Sequence, residues 1–431
     1  MEKQYKESGI DWIGRIPNSW KVDIAKHVFR QRRDKGNEVC QLLAATQKYG
    51  MYPQHLLEGV VKVAADTDLS QFKTVHKNDY VISLRSFQGG FEISDYEGVC
   101  SPAYQVFYAT RKIDSQFYKY LFKSDAFIQE INSLTVGIRE GKNILYDDFA
   151  LLPIPIPMVS DQQRIAVYLD EKCGEIDSLI GLQEQMIEKL KAYKQSVITE
   201  AVTKGLTPNA KLVPSGIDWI GEIPEGWEIN KLFNLCTIKG RVGWKGLRSD
   251  EFKENSYAYL VTGQDFISSD INWNNCYQIE KERYEEDPYI QLSNGDILVT
   301  KDGTIGKIAK VSGMDKPACL NSGIFVLKQR KETFFQNYLY WYLSSPLLLR
   351  YNTFINTGGT TIIHLYQNVF ERFPMIIPPM DEQITIATYL DGKCSEIDNL
   401  IALKQQKIEK LMDYKKSVIY EAVTGKINID S

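Results

Sequence analysis

The sequence predicts an α+β protein: two mixed α/β domains separated by a pair of long antiparallel helices, an intramolecular coiled coil with a pseudo-two-fold internal repeat. Three observations carry that reading. Residues 160–204 form an amphipathic stretch that returns as 381–425 at a constant offset of 221, keeping Tyr168-Leu169-Asp170, Glu175-Ile176-Asp177, Ile187-Glu188-Lys189-Leu190 and Glu200-Ala201-Val202-Thr203. A leader at 8–20, Ser-Gly-Ile-Asp-Trp-Ile-Gly-Arg-Ile-Pro-Asn-Ser-Trp, returns at 215–227 with an offset of 207. Between leader and helix, each half holds a large segment of short apolar runs broken by turn residues, the pattern of mixed strands and helices. A period this long signifies two modules in tandem and not a solenoid.

In chain order, the first leader opens into a segment at about 21–152. Its strand-like runs include Asp79-Tyr80-Val81-Ile82-Ser83-Leu84 and Tyr104-Gln105-Val106-Phe107-Tyr108, and a helix is expected near 115–131. The segment leaves through Leu152-Pro153-Ile154-Pro155-Ile156-Pro157. Proline lacks the N–H of a helix ladder and pushes its predecessor out of the α region, so this exit is extended. The first long helix follows. Along Ile176, Ile180, Gln183, Ile187, Leu190, Lys194, Val197 and Ala201 the steps alternate 4 and 3, the heptad signature of a helix packed lengthwise on another. Ser160 with Gln163 reads as a capping box, and Asp381 as a lone cap in the copy, where Ile384 replaces the glutamine. Gly205, with Pro208 beyond it, and Gly425 read as the stops, and Gly174, a serine in the copy, as a kink site in the first helix only. About 42 helical residues reach roughly 60 Å, enough to set the distance between two other bodies.

The second half repeats the order. Its large segment, about 228–373, is 14 residues longer, because the offset grows from 207 to 221. Strands are expected at 296–300 and 324–327 and a helix near 333–350, before the exit from Phe373-Pro374 to Pro378-Pro379. The domain boundaries are therefore 1–152, 153–206, 207–373 and 374–431. Only about a dozen residues link Thr203 to the second leader, so the second segment begins near the far end of the first helix. A mate helix running back leaves one domain at each end and brings the chain termini together.

The chain has 431 residues, 43% hydrophobic and 12% aromatic, enough to fold two or three domains with cores. Its first residues lack a signal-type apolar region and no run approaches bilayer length, so a cytoplasmic protein without a membrane partner is expected. Seven cysteines, odd in number and never spaced Cys-x-x-Cys, argue against both a disulfide framework and a zinc site. The net charge of −4 speaks against a polyanion partner. Sorted by segment, the objection weakens: 21–152 and 228–373 each carry 17 basic and 16 acidic side chains, whereas 153–206 and 374–431 are each −2. The acid excess lies on the helices, leaving room for a basic face on each large segment.

These motifs, in this order and duplicated, resemble the specificity subunit of a type I restriction-modification system over essentially the whole chain. The bearers are the leader Gly-Ile-Asp-Trp-Ile-Gly-x-Ile-Pro, Pro-Pro-x-Asp-Glu-Gln-x-x-Ile-Ala-x-Tyr-Leu-Asp at 378–391, Ile-Asp-x-Leu-Ile and Ala-Val-Thr-Gly-Lys of the second helix, and Gly-Asp-Ile-Leu-Val-Thr-Lys-Asp-Gly-Thr-Ile-Gly-Lys at 295–307. The first copy departs with Ser160-Asp161-Gln162 for Asp-Glu-Gln and Thr203-Lys204-Gly205 for Thr-Gly-Lys. The resemblance implies two target recognition domains, each reading one half of a split site on double-stranded DNA. It implies that the paired helices fix the spacing and dock two modification (adenine methyltransferase) subunits, with restriction (ATP-dependent translocase/nuclease) subunits added. S-adenosylmethionine, ATP and Mg are then expected on the partners; this chain is expected to bind no cofactor and to be no enzyme. Two divergent readers on one rigid spacer imply an asymmetric target, where a homodimeric reader would give a palindrome.

Base reading needs Arg, Lys, Asn or Gln on loops that reach base edges, with hydroxyls and amides for phosphates. The leading candidates are Arg85, Ser86 and Gln88, where a strand runs into Gly89-Gly90, and their counterparts Lys301 and Thr304 in Lys301-Asp302-Gly303-Thr304. A second pair of Gly-rich loops just before the proline exits offers Arg139, Lys142 and Asn143, and Thr360, Thr361 and His364. Arg241 and Lys245 are candidates for backbone contacts. The plainer reading of each loop is a turn with solvated polar residues.

Catalytic signatures fail on inspection. Asp287-Pro288-Tyr289 has one proline too few for a methyltransferase motif. Gly303 to Lys307 is too short for a phosphate loop and is followed by Ile308 in place of Ser or Thr. Asp170-x-Lys172 and Asp391-x-Lys393 match half of a nuclease site but lie on the heptad helices, where surface charge is the plain reading. The four histidines (His27, His55, His76, His364) are scattered. Two other classes compete: a non-catalytic coiled-coil scaffold that binds proteins only, and an enzyme with an unrecognised site.

Overall fold

A heptad seam must find a partner, and both long helices do. The computed structural model describes residues 4–36, 41–58, 68–83, 90–133, 144–241, 246–267, 269–330, 334–355, 364–427 and 429. Val159–Lys204 and Met380–Val423 are helices of 46 and 44 residues, the first continuous through Gly174. All eight seam positions of the first are buried or half-buried, as are their mates Ile397, Ile401, Lys404, Ile408, Leu411, Lys415, Val418 and Ala422. The chain divides into two units, 1–184 with 405–431 and 185–404. The cuts fall inside both helices, because each helix half packs with the globular part beside it.

Within each unit the helix halves run antiparallel. In the first, Lys415 Nζ donates to both oxygens of Asp177 at 2.7 Å, and Val418, Ala422 and Val423 share a core with Ile165, Leu169 and Cys173. In the second, the mates of those ions, Lys194 and Asp398, meet at 2.6 Å, and Val197, Ile198 and Ala201 share a core with Ile386, Ala387, Leu390 and Cys394. Each buried aliphatic contributes about 1.5–3 kcal/mol against about 1 kcal/mol or less for a half-exposed ion pair. The seam therefore holds the pair, and the ions fix its register. The apolar face is narrower than its spacing implied: Leu179, Leu182 and Tyr193 stand 43%, 49% and 50% exposed, and their mates Leu400, Leu403 and Tyr414 48%, 61% and 50%.

The helix starts differ from expectation. Asp161 and Gln162 N–H groups donate to Met158 O, so Ser160 already lies inside the first turn and forms no box with the exposed Gln163; Asp381 is likewise inside its helix. The motif glutamine does the work instead. Buried Gln162 donates to Pro157 O at 2.9 Å and accepts from Asp114 N at 2.7 Å, and its mate Gln383 donates to Pro378 O at 2.8 Å and accepts from Phe335 N at 2.8 Å. One amide thus ties the exit, the helix start and the globular part together. At the other ends Gly205 and Gly425 both adopt φ +75°. A Cβ on Gly425 would lie 2.5 Å from Pro17 and 3.1 Å from the Trp20 ring, and one on Gly205 3.1 Å from the Trp227 ring. Only glycine satisfies both the left-handed turn and the close approach.

Each globular part is built on a four-stranded antiparallel sheet. The first runs, edge to edge, Phe29–Gln31, Gln105–Ala109, Tyr80–Ile82, Phe91–Ile93; the second Cys236–Gly240, Ile324–Gln329, Ile297–Thr300, Ile308–Lys310. The order is the same although the sequences have drifted. The proline exits are strands, Pro153–Ile156 paired with Lys21–Ile24 and Pro374–Ile377 with Glu228–Lys231; two-stranded ribbons tolerate prolines because an edge needs fewer N–H donors. The leaders fold as hairpins, Tyr5–Glu7 with Arg15–Pro17 and Leu212–Pro214 with Glu222–Pro224. Each single helix expected after the sheet is in fact two, Ser115–Lys123 and Asp125–Ser133, and Gln336–Ser344 and Leu347–Ile355. Ser124 stops one by donating to Leu121 O at 2.7 Å. In the other, Pro346 forces Ser345 to an extended ψ of 159°.

These helices reach the long ones through repeat mates. Tyr120 Oη donates to Asp170 at 2.7 Å and Trp341 Nε1 to Asp391 at 2.8 Å. Trp20 Nε1 donates to Asp161 at 3.2 Å and Trp227 Nε1 to Glu382 at 3.1 Å. Asp170 and Asp391 are exposed charges on the helix surface, as expected, and serve in addition as anchor acceptors. Burial, then the Asp170 carboxylate, pushes the Tyr120 phenol well above its ordinary value, which keeps it a donor. In the first unit Tyr420 Oη also donates to Trp12 O at 3.3 Å, so the leader meets the end of the second helix as the short linker required. Asp391→Ala is expected to cost about 1–3 kcal/mol in urea unfolding because it strands the Trp341 N–H, and Asp391→Asn, which can still accept, under about 1 kcal/mol. Equal losses would show that the charge, not the hydrogen bond, makes the anchor.

Candidate nucleic-acid interface

Sheet topology brings the ends of several strands of each unit to one edge. In the first unit Gln31 lies opposite Phe107, Gln105 opposite Ile82 and Ile82 opposite Phe91. Arg32 N–H continues the ladder to Val106 O at 2.8 Å, and Ser83 N–H donates to Gly90 O at 2.8 Å, closing the base of the hairpin. The segment after the first strand and the hairpin thus share the same end of the sheet. Arg85, Ser86, Gln88, Arg139, Lys142, Asn143, Lys245, Thr360 and Thr361 lie outside the described residues.

The second unit describes the equivalent edge in atoms. Thr300 lies opposite Ile324, and Gly240 opposite Phe325. Thr300 Oγ1 accepts from Lys307 N at 2.9 Å and donates to Thr304 O at 2.5 Å, a turn that uses positive φ at Gly303 (69°) and Gly306 (79°). Lys301 N–H donates to Gly323 O at 2.9 Å, and its carbonyl accepts from Leu365 N at 3.1 Å. His364 Nδ1 lies 2.8 Å from Asp302 Oδ1, where the carboxylate accepts. Two loops expected as separate candidates are therefore joined, and Lys301, Thr304 and His364 stand on one edge. Thr304 is exposed. The Lys301 ammonium lies 5.1 Å from the Phe325 ring centroid, so its stem is packed and its charge sits at the rim.

Arg241 corrects an expectation. It is 2% exposed, with Nε donating to Leu320 O at 3.0 Å and Nη2 lying 3.4 Å from Cys319 Sγ. Its Gly-flanked context resembles a surface loop, but the strand Cys236–Gly240 delivers it inward over Ala318–Leu320, where it props two strands together. Burial pushes the Cys319 thiol up to about 11, with Arg241 pulling the other way, so the pair is structural. Cys173 and Cys394 are buried as small core residues. Among the described residues there is no group of three potential metal ligands, and no helix is long and apolar enough to cross a membrane.

A basic strip in the first unit lies apart from the loop candidates. Lys26, Arg30, Arg32 and Arg33 line a cleft of about 540 Å³ with Tyr108 and Tyr146. The run Arg30-Gln31-Arg32-Arg33 is its signal in the sequence; it begins in a short strand and carries no glycine turn.

A family model described as the type I restriction modification DNA specificity domain matches residues 32–192 and 224–412. The type I restriction enzyme MjaVIII specificity subunit of Methanocaldococcus jannaschii is 24% identical, over 96% of this chain and 94% of that protein. A chain solved in a study of complex assembly and conformational transition of the type I R-M system superposes with a TM-score of 0.71 at 16% identity, covering 96% of this chain and 99% of that one. The HsdS subunit of Thermoanaerobacter tengcongensis gives 0.51 at 15% identity, covering 96% and 98%. With most of its length matched in two copies, and the same duplicated sheets and helices in its fold, the chain belongs to the type I restriction-modification DNA specificity family.

Proposed function

We propose that this chain is the DNA sequence-recognition subunit of a type I restriction-modification complex, each unit reading one half of an asymmetric bipartite site on double-stranded DNA. The observation that carries the reading is the convergence of Lys301, Thr304 and His364 on one sheet edge of the second unit, on a fold whose strand order repeats in the first. By that equivalence Arg85, Ser86, Gln88, Arg139, Lys142 and Asn143 are the base- and phosphate-reading set of the first unit, and Lys245, Thr360 and Thr361 complete that of the second. Side chains differ at the equivalent edges, so the half-sites differ.

The long helices set the spacing and dock two modification subunits. Leu179, Leu182 and Tyr193 and their mates Leu400, Leu403 and Tyr414 support this: the same apolar side chains are left exposed twice, the pattern expected of two equal partner footprints. The chain itself is non-catalytic; S-adenosylmethionine, ATP and Mg act on the modification and restriction subunits, in the cytoplasm.

Methylome sequencing of cells with and without the gene tests the reading. One adenine-methylated motif, split and asymmetric, is expected to vanish with the gene; a palindromic motif, or an unchanged methylome where the modification subunit is present, contradicts it and favours a protein-only scaffold. Removing one heptad from both helices is expected to shorten the unread gap by about 3 base pairs, from roughly 10.5 Å of helix against 3.4 Å per pair. A gap that stays the same would mean that the helices do not measure.

A further inference from the structure

The first unit carries a cleft lined by Lys26, Arg30, Arg32, Arg33 and Asp34, in which three of the four cations are, among the described residues, not spent on carboxylates. Strand alternation places Arg30, and Arg33 follows just past the end of the same strand. Phe29 points into the aromatic core, within 5.5 Å of the Tyr80, Phe107 and Phe122 rings, so Arg30 points out, opposite Tyr108 in the ladder. Arg32, next on that face, is consumed by the fold: it forks onto buried Asp79 at 2.6 and 2.9 Å, reaches Asp34 at 3.3 Å and lies 4.5 Å from the Tyr108 ring. That fork neutralises the acid beneath the strip. Arg30, Arg33 and Lys26 are exposed. Arg33 donates at 3.2 Å to Gln31, a neutral amide, and among the described residues none of the three forms an ion pair with a carboxylate.

Two guanidiniums and an ammonium along a groove walled by phenol rings fit a row of phosphates. Guanidinium forks match phosphate oxygens in geometry and charge, and such contacts hold a duplex without reading its sequence. The groove lies beside the edge where the hairpin closes, through the ladder from Gln31 to Phe91. The second unit is built differently at the same places. By the leader offset of 207, Phe233, Thr237, Lys239 and Gly240 stand where Lys26, Arg30, Arg32 and Arg33 do, and Lys239 sits 5.6 Å from the Tyr289 ring centroid.

Building on the DNA-recognition reading, we propose that the cleft of Lys26, Arg30, Arg33, Tyr108 and Tyr146 grips the sugar-phosphate backbone of double-stranded DNA, with Arg30 and Arg33 as phosphate ligands, and that this sequence-independent grip belongs to the first unit alone. The full chain is titrated by fluorescence anisotropy with a random-sequence duplex across a sodium chloride series. Arg30→Ala with Arg33→Ala is expected to lower the log–log salt slope by about 1.8, two phosphates at about 0.9 each, while Arg30→Lys with Arg33→Lys retains it and Thr237→Ala leaves it unchanged. A slope unaltered in the alanine pair, or a loss confined to duplexes with one particular half-site, overturns the grip. Wild-type chain that binds no duplex at any salt overturns instead the recognition reading beneath it. An unchanged thermal melt of the alanine pair, expected for two exposed side chains, separates lost contact from lost fold.

Discussion

Each unit depends on one constraint: two helix halves must lie antiparallel along an apolar seam while a sheet domain is held against them at a fixed angle. The seam alone does not set that angle, since aliphatic contacts are tolerant of rotation and sliding. The hydrogen-bonded anchors do. Gln162 and Gln383 satisfy both the exit carbonyl and a backbone N–H of the globular part with one buried amide. Tyr120 with Asp170 and Trp341 with Asp391 then pin a second point on each helix. Two directional contacts on one rigid helix remove the rotation that packing leaves free.

The candidate interface inherits its position from that frame. In the second unit antiparallel order returns the turn after Thr300, the end of the first strand and the chain at Leu365 to one edge, so residues distant in sequence become neighbours, as Lys301 and Leu365 show. Function then resides in what those loops carry. The two units share a scaffold and differ at its rim: a basic strand in one, Thr237 and Lys239 in the other.

Much of this was legible beforehand because it depends on periodicity and duplication. The heptad positions, the glycine stops, the extended proline exits and the meeting of leader with the second helix follow from spacing and chain length. What escaped depends on tertiary context. Ser160 looked like a cap, yet the turn begins a residue or two earlier because the exit strand delivers Met158 there. The glutamine of the Asp-Glu-Gln motif was read as a family mark and not as a strut. Arg241 looked like a surface cation because burial of a guanidinium needs partners, Leu320 O and Cys319 Sγ, that lie far away in sequence. The helix expected near 333–350 spans Pro346, where the structure divides it in two.

The two interhelical ion pairs are built from mates: Lys194 corresponds to Lys415, and Asp177 to Asp398. Each helix accordingly presents to its partner nearly the face that the partner presents to it. No side-chain code distinguishes the helix within the same polypeptide from that of a neighbouring molecule. The choice is left to tethering through the second globular part, which raises the effective concentration of the internal partner. Crowding during synthesis works against that advantage, and strand-exchanged dimers are the misassembly to which this architecture is exposed.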